Sequence, residues 1–362
     1  MRIARTVSRV LMIIALLCPP ASAFQQAQLK TQKEKTSQGH LDVRVNAFVD
    51  LYFFVFKLAS DSGKIPDIEG FAEGVDAARG LFGAQTLARL DVDVSQFESA
   101  ADILPAVSRV PETTRLIANG KVQPVQTREK TIQLAKALML IEKPFREKIW
   151  PQHKTAIEQA AVRIATKLIP KERECFAYIT KNLGMEDTDY RVPVYLVAES
   201  PAPGGFTNWQ GDRHGVCFVG IDSNKGSQLF ETVLHESIHA LDLETKGKEN
   251  VLEDIRNRLK KAGVAERDPD MRNVAHTIMF IQAAETVRRF VDPTHKHYGD
   301  VAGYYAKVPV VAKIELPIWI AYLDGKISRE AAISQIIEGI LKTRKRTSSS
   351  VKTITPARRI AL

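Results

Sequence analysis

Apolar residues recur at helical spacing along most of this chain. From Leu41 to about Leu168 the pattern reads as helical throughout. Leu41–Ala59 carries Phe48, Tyr52, Phe53, Phe54 and Phe56, an aromatic set suited to packing in a core, and Thr131–Ile141 and Thr155–Leu168 are amphipathic. The pattern then changes. Arg191–Ala198 and Gly215–Asp222 are short runs of branched and aromatic residues with turn-formers nearby, which predicts two strands. Between them, Pro201–Gly205 and Asn208–Gly211 predict a loop. Helical spacing returns around Thr232–Leu241, with Ser227 placed to cap that helix. It continues over Met271–Val291, which lacks Gly and Pro and is apolar almost all round between Val274 and Ala284, so it should be buried. Two more helices follow, Ile314–Tyr322 and, after the Asp324-Gly325 turn, Ser328–Lys342. Together these elements predict an α+β fold, mostly helical, with a small sheet preceding the helix at Thr232–Leu241.

The two ends of the chain have a different character. Arg2, Arg5 and Arg9 precede the apolar run Val10–Cys18, and Ala21-Ser22-Ala23 supplies small residues for cleavage after Ala23. This is the pattern of a secretory signal peptide; a membrane span needs about twenty apolar residues. The expected organisation is a signal peptide (1–23), a polar linker (24–40), a helical N-terminal region (41–168), a second region carrying the chemistry (169–341) and a basic, disordered tail (342–362). Export to the periplasm or beyond follows. No other run is long enough to span a bilayer.

Charge and cysteine content alter that picture little. Of the net charge of +9, three positive charges lie in the signal peptide and seven in Lys342–Leu362, which has no acidic residue. The body is therefore close to neutral, and nucleic acid is not an expected partner. The tail is suited to contact with an anionic envelope surface. Cys175 and Cys217 remain after cleavage, either bridged or as two buried thiols, and their spacing is not that of metal ligands.

The most informative segment is Thr232-Val-Leu-His-Glu-Ser-Ile-His-Ala-Leu241, which contains H-E-x-x-H. On a helix, His235 and His239 stand on one face a turn apart and can share a metal ion. Glu236 is then directed toward the remaining coordination position. Two neutral nitrogens hold the metal, the metal lowers the pKa of a water, and a carboxylate accepts its proton. The uncharged flanks Thr232, Val233, Ser237, Ile238, Ala240 and Leu241 suit a buried helix.

This stretch resembles the signature of the zincin metallopeptidases. The resemblance implies Zn2+ as cofactor, a peptide or protein as substrate, and Glu236 as general base. Asp242 and Thr245 stand where the metzincin branch has Gly and His, which excludes that branch. The gluzincin branch takes its third ligand, a Glu, from a later helix, which here points to Met271–Val291. Glu285 falls in line with Val274, Ile278 and Ile281, and a buried carboxylate needs a cation. Glu285 is thus the expected third ligand, with a salt bridge to Arg288 or Arg289 as the alternative. His276, nine residues earlier and on the opposite side of that helix, is a further candidate for ligand or substrate contact. Asp242 is placed to support a ligand or to sit on the helix surface. His295, His297, Tyr298, Tyr304 and Tyr305 cluster after Pro293, where a Tyr or His could stabilise an oxyanion, and Tyr304 and Tyr305 are candidates to support a ligand or face substrate. The resemblance also implies that Gly215–Ile221 is an edge strand that pairs with extended substrate. The expected function is an exported zinc metallopeptidase of gluzincin type. The alternatives are a secreted, non-catalytic binding or scaffold protein on a zincin-like fold, and a metal-dependent hydrolase of a non-peptide polymer.

Overall fold

A computed structural model describes residues 39–60, 64–81, 94–110, 112–118, 121–186, 190–200, 204–208, 215–244 and 249–352. The expected signal peptide, nearly all of the expected linker, and residues 353–362 lie outside them. In chain order the strands are β1 (Leu41–Arg44), β2 (Thr114–Ala118), β3 (Lys121–Val125), β4 (Val192–Val197), β5 (Gly205–Asn208) and β6 (Val216–Gly220). The longer helices are α1 (Ala47–Ser60), α2 (Phe71–Ala78), α3 (Thr127–Lys148), α4 (Trp150–Arg163), α5 (Glu172–Leu183), α6 (Gln228–Glu244), α7 (Val251–Lys261), α8 (Pro269–Phe290), α9 (Pro309–Leu323) and α10 (Arg329–Lys352). The fold is α+β and mostly helical, with a four-stranded mixed sheet, as the periodicity predicts.

The sheet runs β1-β4-β6-β5. β1 and β4 are parallel (Leu41 opposite Val192), as are β4 and β6 (Val194 opposite Cys217), while β5 is antiparallel to β6 (Phe206 opposite Phe218). Side chains alternate between its two faces. Val192, Val194, Leu196, Cys217 and Val219 enter one core, shared with α4, α5, α6 and α8. Tyr195, Val197 and Phe218 enter the other, shared with α1, α2 and α3. Each fully buried Phe or Leu in these cores contributes about 1.5–3 kcal/mol through lost apolar exposure. Asp50 of α1 is buried but not unpaired. Its Oδ1 accepts the Ala198 amide at 2.6 Å, and its Oδ2 lies 2.7 Å from His153 Nδ1, tying α1 to the end of β4 and to α4.

Several boundaries differ from the expectation. Leu41–Leu168 is not helical throughout, because β1 joins the main sheet and β2 pairs antiparallel with β3. Nor do 41–168 and 169–341 separate. Ile157, Ile164 and Leu168 pack in the core of the motif helix, and the described residues from His40 onward form one compact unit. Gly205–Asn208, expected within a loop, is a strand, and it takes the edge position next to β6, which is interior. α10 runs to Lys352 rather than stopping at Lys342. No Gly or Pro interrupts that stretch, and Arg344 anchors it with bonds of 2.8 and 2.7 Å to Asp270 and Asp268. Cys175 and Cys217 are buried free thiols. Among the described residues no helix is long and apolar enough to cross a membrane.

Candidate metal centre

Two helices build the site. In α6 the buried residues Leu229, Phe230, Val233, Leu234, Ile238, Ala240 and Leu241 leave little of the circumference exposed, so its polar side chains are held against protein. α8 begins cleanly, with Asp268 accepting the Asp270 amide at 3.0 Å and Pro269 in the first turn. It packs along α6 and delivers His276 to the motif.

The rings of His235, His239 and His276 form a nearly equilateral set, with centroids 4.8, 5.0 and 5.1 Å apart. One ring nitrogen from each lies within 4.8 Å of the others, so the group could hold a metal ion. His235 Nε2 stands 3.2 Å from His276 Nε2. Two nitrogens bound tetrahedrally to zinc at about 2.0–2.1 Å would be about 3.3–3.4 Å apart, so this pair already has ligand spacing. Burial, reinforced by His239 and His276, pushes the His235 imidazole well below its usual range. Burial, with Arg256 nearby, takes His239 down to about 4, and burial, with His239 and Arg272, takes His276 down to about 3. All three are therefore neutral at physiological pH and present lone pairs, the form a metal requires.

Neighbouring groups hold the rings in place. Phe280, one turn beyond His276, stacks on His235 at 3.9 Å, and the Tyr304 ring lies 4.5 Å from Phe280. His276 Nδ1 lies 3.2 Å from the Tyr304 hydroxyl, which is also 3.3 Å from Thr277 Oγ1. Donation from Nδ1–H to that hydroxyl leaves the His276 Nε2 lone pair free. Asp242 accepts from Arg256 at 2.8 Å and from Asn250 at 3.3 Å, fastening the end of α6 to α7. Glu236 is only 4% exposed, and burial pushes its carboxyl up to about 8 against the opposing pull of the Thr207 hydroxyl.

Glu285 is not at this site, contrary to the expectation. Nine residues at 100° each place it on the side of α8 opposite His276. Its Oε1 lies 2.9 Å from His297 Nε2, and its Oε2 accepts from Arg288 Nε at 3.0 Å and from Arg288 Nη2. Burial raises its carboxyl, but the bonds from His297 and Arg288 prevail and hold it below its ordinary value. The cation that this buried carboxylate requires is Arg288, and His276 completes the group that could hold a metal ion. Tyr305 belongs to the Glu285 side, with its hydroxyl 3.3 Å from His297 Nδ1. His295 is likewise committed elsewhere. Its Nε2 lies 2.6 Å from Glu231, one turn before His235, and its Nδ1 lies 2.9 Å from Ser227. Glu231 also accepts the Tyr298 amide at 2.6 Å, which pins the segment after α8 to the start of α6.

No family model, curated protein or solved structure matches the chain.

Proposed function

We propose that this protein is an exported zinc-dependent peptidase of zincin type, with zinc held by His235, His239 and His276. The observation that carries the reading is a cluster of three imidazoles with a buried Glu236 adjacent to one of them on the same helix. The donor set suits zinc, since three histidines leave a fourth tetrahedral position open. Zinc bound there supplies Lewis acidity, polarising a carbonyl and lowering the pKa of water. Glu236 takes a proton from the attacking water and passes it to the leaving nitrogen. The aromatic pair Phe280 and Tyr304 lines one side of the cluster. β5 is the edge strand beside the motif helix, so it, rather than β6, is suited to pair with an extended peptide. Arg2, Arg5 and Arg9, the apolar run Val10–Cys18 and the Ala21–Ala23 cleavage pattern support export.

The test uses purified protein loaded with zinc and a fluorogenic peptide library. Wild type cleaves members of the library. Glu236→Gln retains one zinc per chain and loses about 10²–10⁴-fold in rate. A zinc-loaded wild type that cleaves nothing, or a Glu236→Gln variant with full activity, overturns the reading.

A further inference from the structure

We propose that Thr207, on edge strand β5, is the positioning residue for Glu236 and couples the free edge of the sheet to the base. The kinetic consequence rests on the peptidase reading above, whereas the position of the carboxylate rests on geometry alone.

Thr207 Oγ1 lies 2.8 Å from Glu236 Oε2 and 2.8 Å from the Glu236 carbonyl oxygen. Among the described residues it supplies the one side-chain hydrogen bond that the Glu236 carboxylate receives. A hydroxyl has a single proton, so a second donor helps direct it. Cys217 Sγ is 3.4 Å from Thr207 Oγ1, and burial pushes that thiol up, so it remains protonated and can donate. The single Thr207 proton is then shared between the Glu236 carboxylate and the Glu236 carbonyl, both at 2.8 Å. The resulting chain runs from the Cys217 thiol through the Thr207 hydroxyl to the base.

The close approach needed for this contact is written into two glycines. A Cβ at Gly205 would meet the Phe218 carbonyl oxygen at 2.6 Å and would press on Glu236 Cγ and Thr232 Cγ2 at 3.3 Å. One at Gly215 would meet Ala240 Cα at 2.9 Å. Without side chains at those positions the hairpin lies directly on α6. Its start is locked as well. Asn224 Nδ2 donates to the Gly204 and Gly220 carbonyls at 2.8 and 2.5 Å, and Thr232, one turn before Glu236, donates to Asn224 Oδ1 at 2.6 Å.

Among the described residues no strand pairs with the other side of β5. Gly204 accepts from the Gly220 amide, so by antiparallel alternation the backbone polar groups of Gly205 and Thr207 point away from β6. A peptide added at that edge therefore bonds to the backbone of the residue whose side chain holds the base. Substrate pairing and base position are mechanically linked through Thr207.

The experiment compares zinc-loaded wild type, Thr207→Val, Thr207→Ser and Glu236→Gln on the same peptide library, with crystal structures of the first two. Thr207→Val keeps the shape of the side chain and deletes the hydroxyl. The expected result is one zinc per chain, a KM within about threefold of wild type and a kcat lowered about 10- to 100-fold. Thr207→Ser restores kcat to within about threefold, a rescue that a purely structural role would not produce. In the Thr207→Val crystal structure the Glu236 carboxylate leaves its wild-type position. Full kcat in Thr207→Val, with activity abolished in Glu236→Gln, overturns the proposal. If zinc-loaded wild type cleaves nothing, the peptidase reading fails alone. The crystal structures then decide, a displaced carboxylate supporting the role of Thr207 and an unmoved one overturning it.

Discussion

His276→Ala and Glu285→Ala pull apart two assignments that the sequence places on one helix. Loss of a group that merely supports a ligand costs about 10–100-fold in metal affinity, so deletion of one of three imidazoles should cost on the order of 10³-fold or more. At free zinc 100-fold above the wild-type Kd, binding stabilises the fold by about 2.7 kcal/mol. For a domain of this size that raises Tm by about 5 °C. With affinity reduced 10³-fold the same zinc contributes only about 0.1 kcal/mol or less, and the rise disappears. Glu285→Ala behaves oppositely. It strips Arg288 and His297 of a buried acceptor and should cost about 1–3 kcal/mol in stability, yet it leaves the three-histidine group intact. Its Tm starts lower and still climbs by about 5 °C with zinc. The assay is thermal unfolding with and without zinc, together with metal content after dialysis, and Glu285→Gln serves if Ala prevents folding. A zinc response retained in His276→Ala and lost in the Glu285 variants would refute the three-histidine assignment.

Two further outcomes follow from the same geometry. Tyr304→Phe removes the hydroxyl that lies against His276 Nδ1 while keeping the ring against Phe280, so competition with a chelator should show zinc affinity lowered about 10–100-fold without loss of fold. The second outcome concerns pH. Glu285 sits below its ordinary value of 4.5 in the folded protein, so its contribution is complete above pH 4.5 and is lost as pH falls through the folded value. Urea midpoints should therefore fall below pH 4.5 more steeply in wild type than in Glu285→Gln, and identical pH profiles would contradict this.

Much of the candidate site is readable from the chain. H-E-x-x-H fixes two imidazoles and a carboxylate on one helix face, and the absence of Gly and Pro between Met271 and Val291 announces the partner helix. What periodicity cannot supply is the neighbour of each face. α8 is buried almost all round, so the apolar spacing correctly places Glu285 inside the protein and says nothing about which element it meets. His276 and Glu285 lie half a turn apart, and only the packing of α6 on one side decides between them. The small strands failed for another reason. Leu41–Arg44 is too short for a period of two to stand out from helical spacing. The β2–β3 hairpin had a local signal in Asn119-Gly120, which lies between two short alternating runs. Edge position is also illegible locally, since Gly215–Gly220 and Gly205–Asn208 differ in which strands flank them.

The sheet that lies between the two cores also sets the order in which the polypeptide can complete itself. α1 is apolar on nearly every side, with Phe48, Phe53 and Phe54 buried, and its cover includes Tyr195, Val197 and Phe218. Those residues follow it by roughly 140–170 positions, a separation whose loop-closure entropy slows folding. On the ribosome, α1 emerges long before β4 and β6 exist. Although α2 and α3 can cover Phe54 early, the side that packs on Tyr195, Val197 and Phe218 stays wet until about two-thirds of the chain has been made. α1 is thus a part of the nascent protein exposed to aggregation, and its packing is completed by strands on which the helices carrying the three histidines themselves depend.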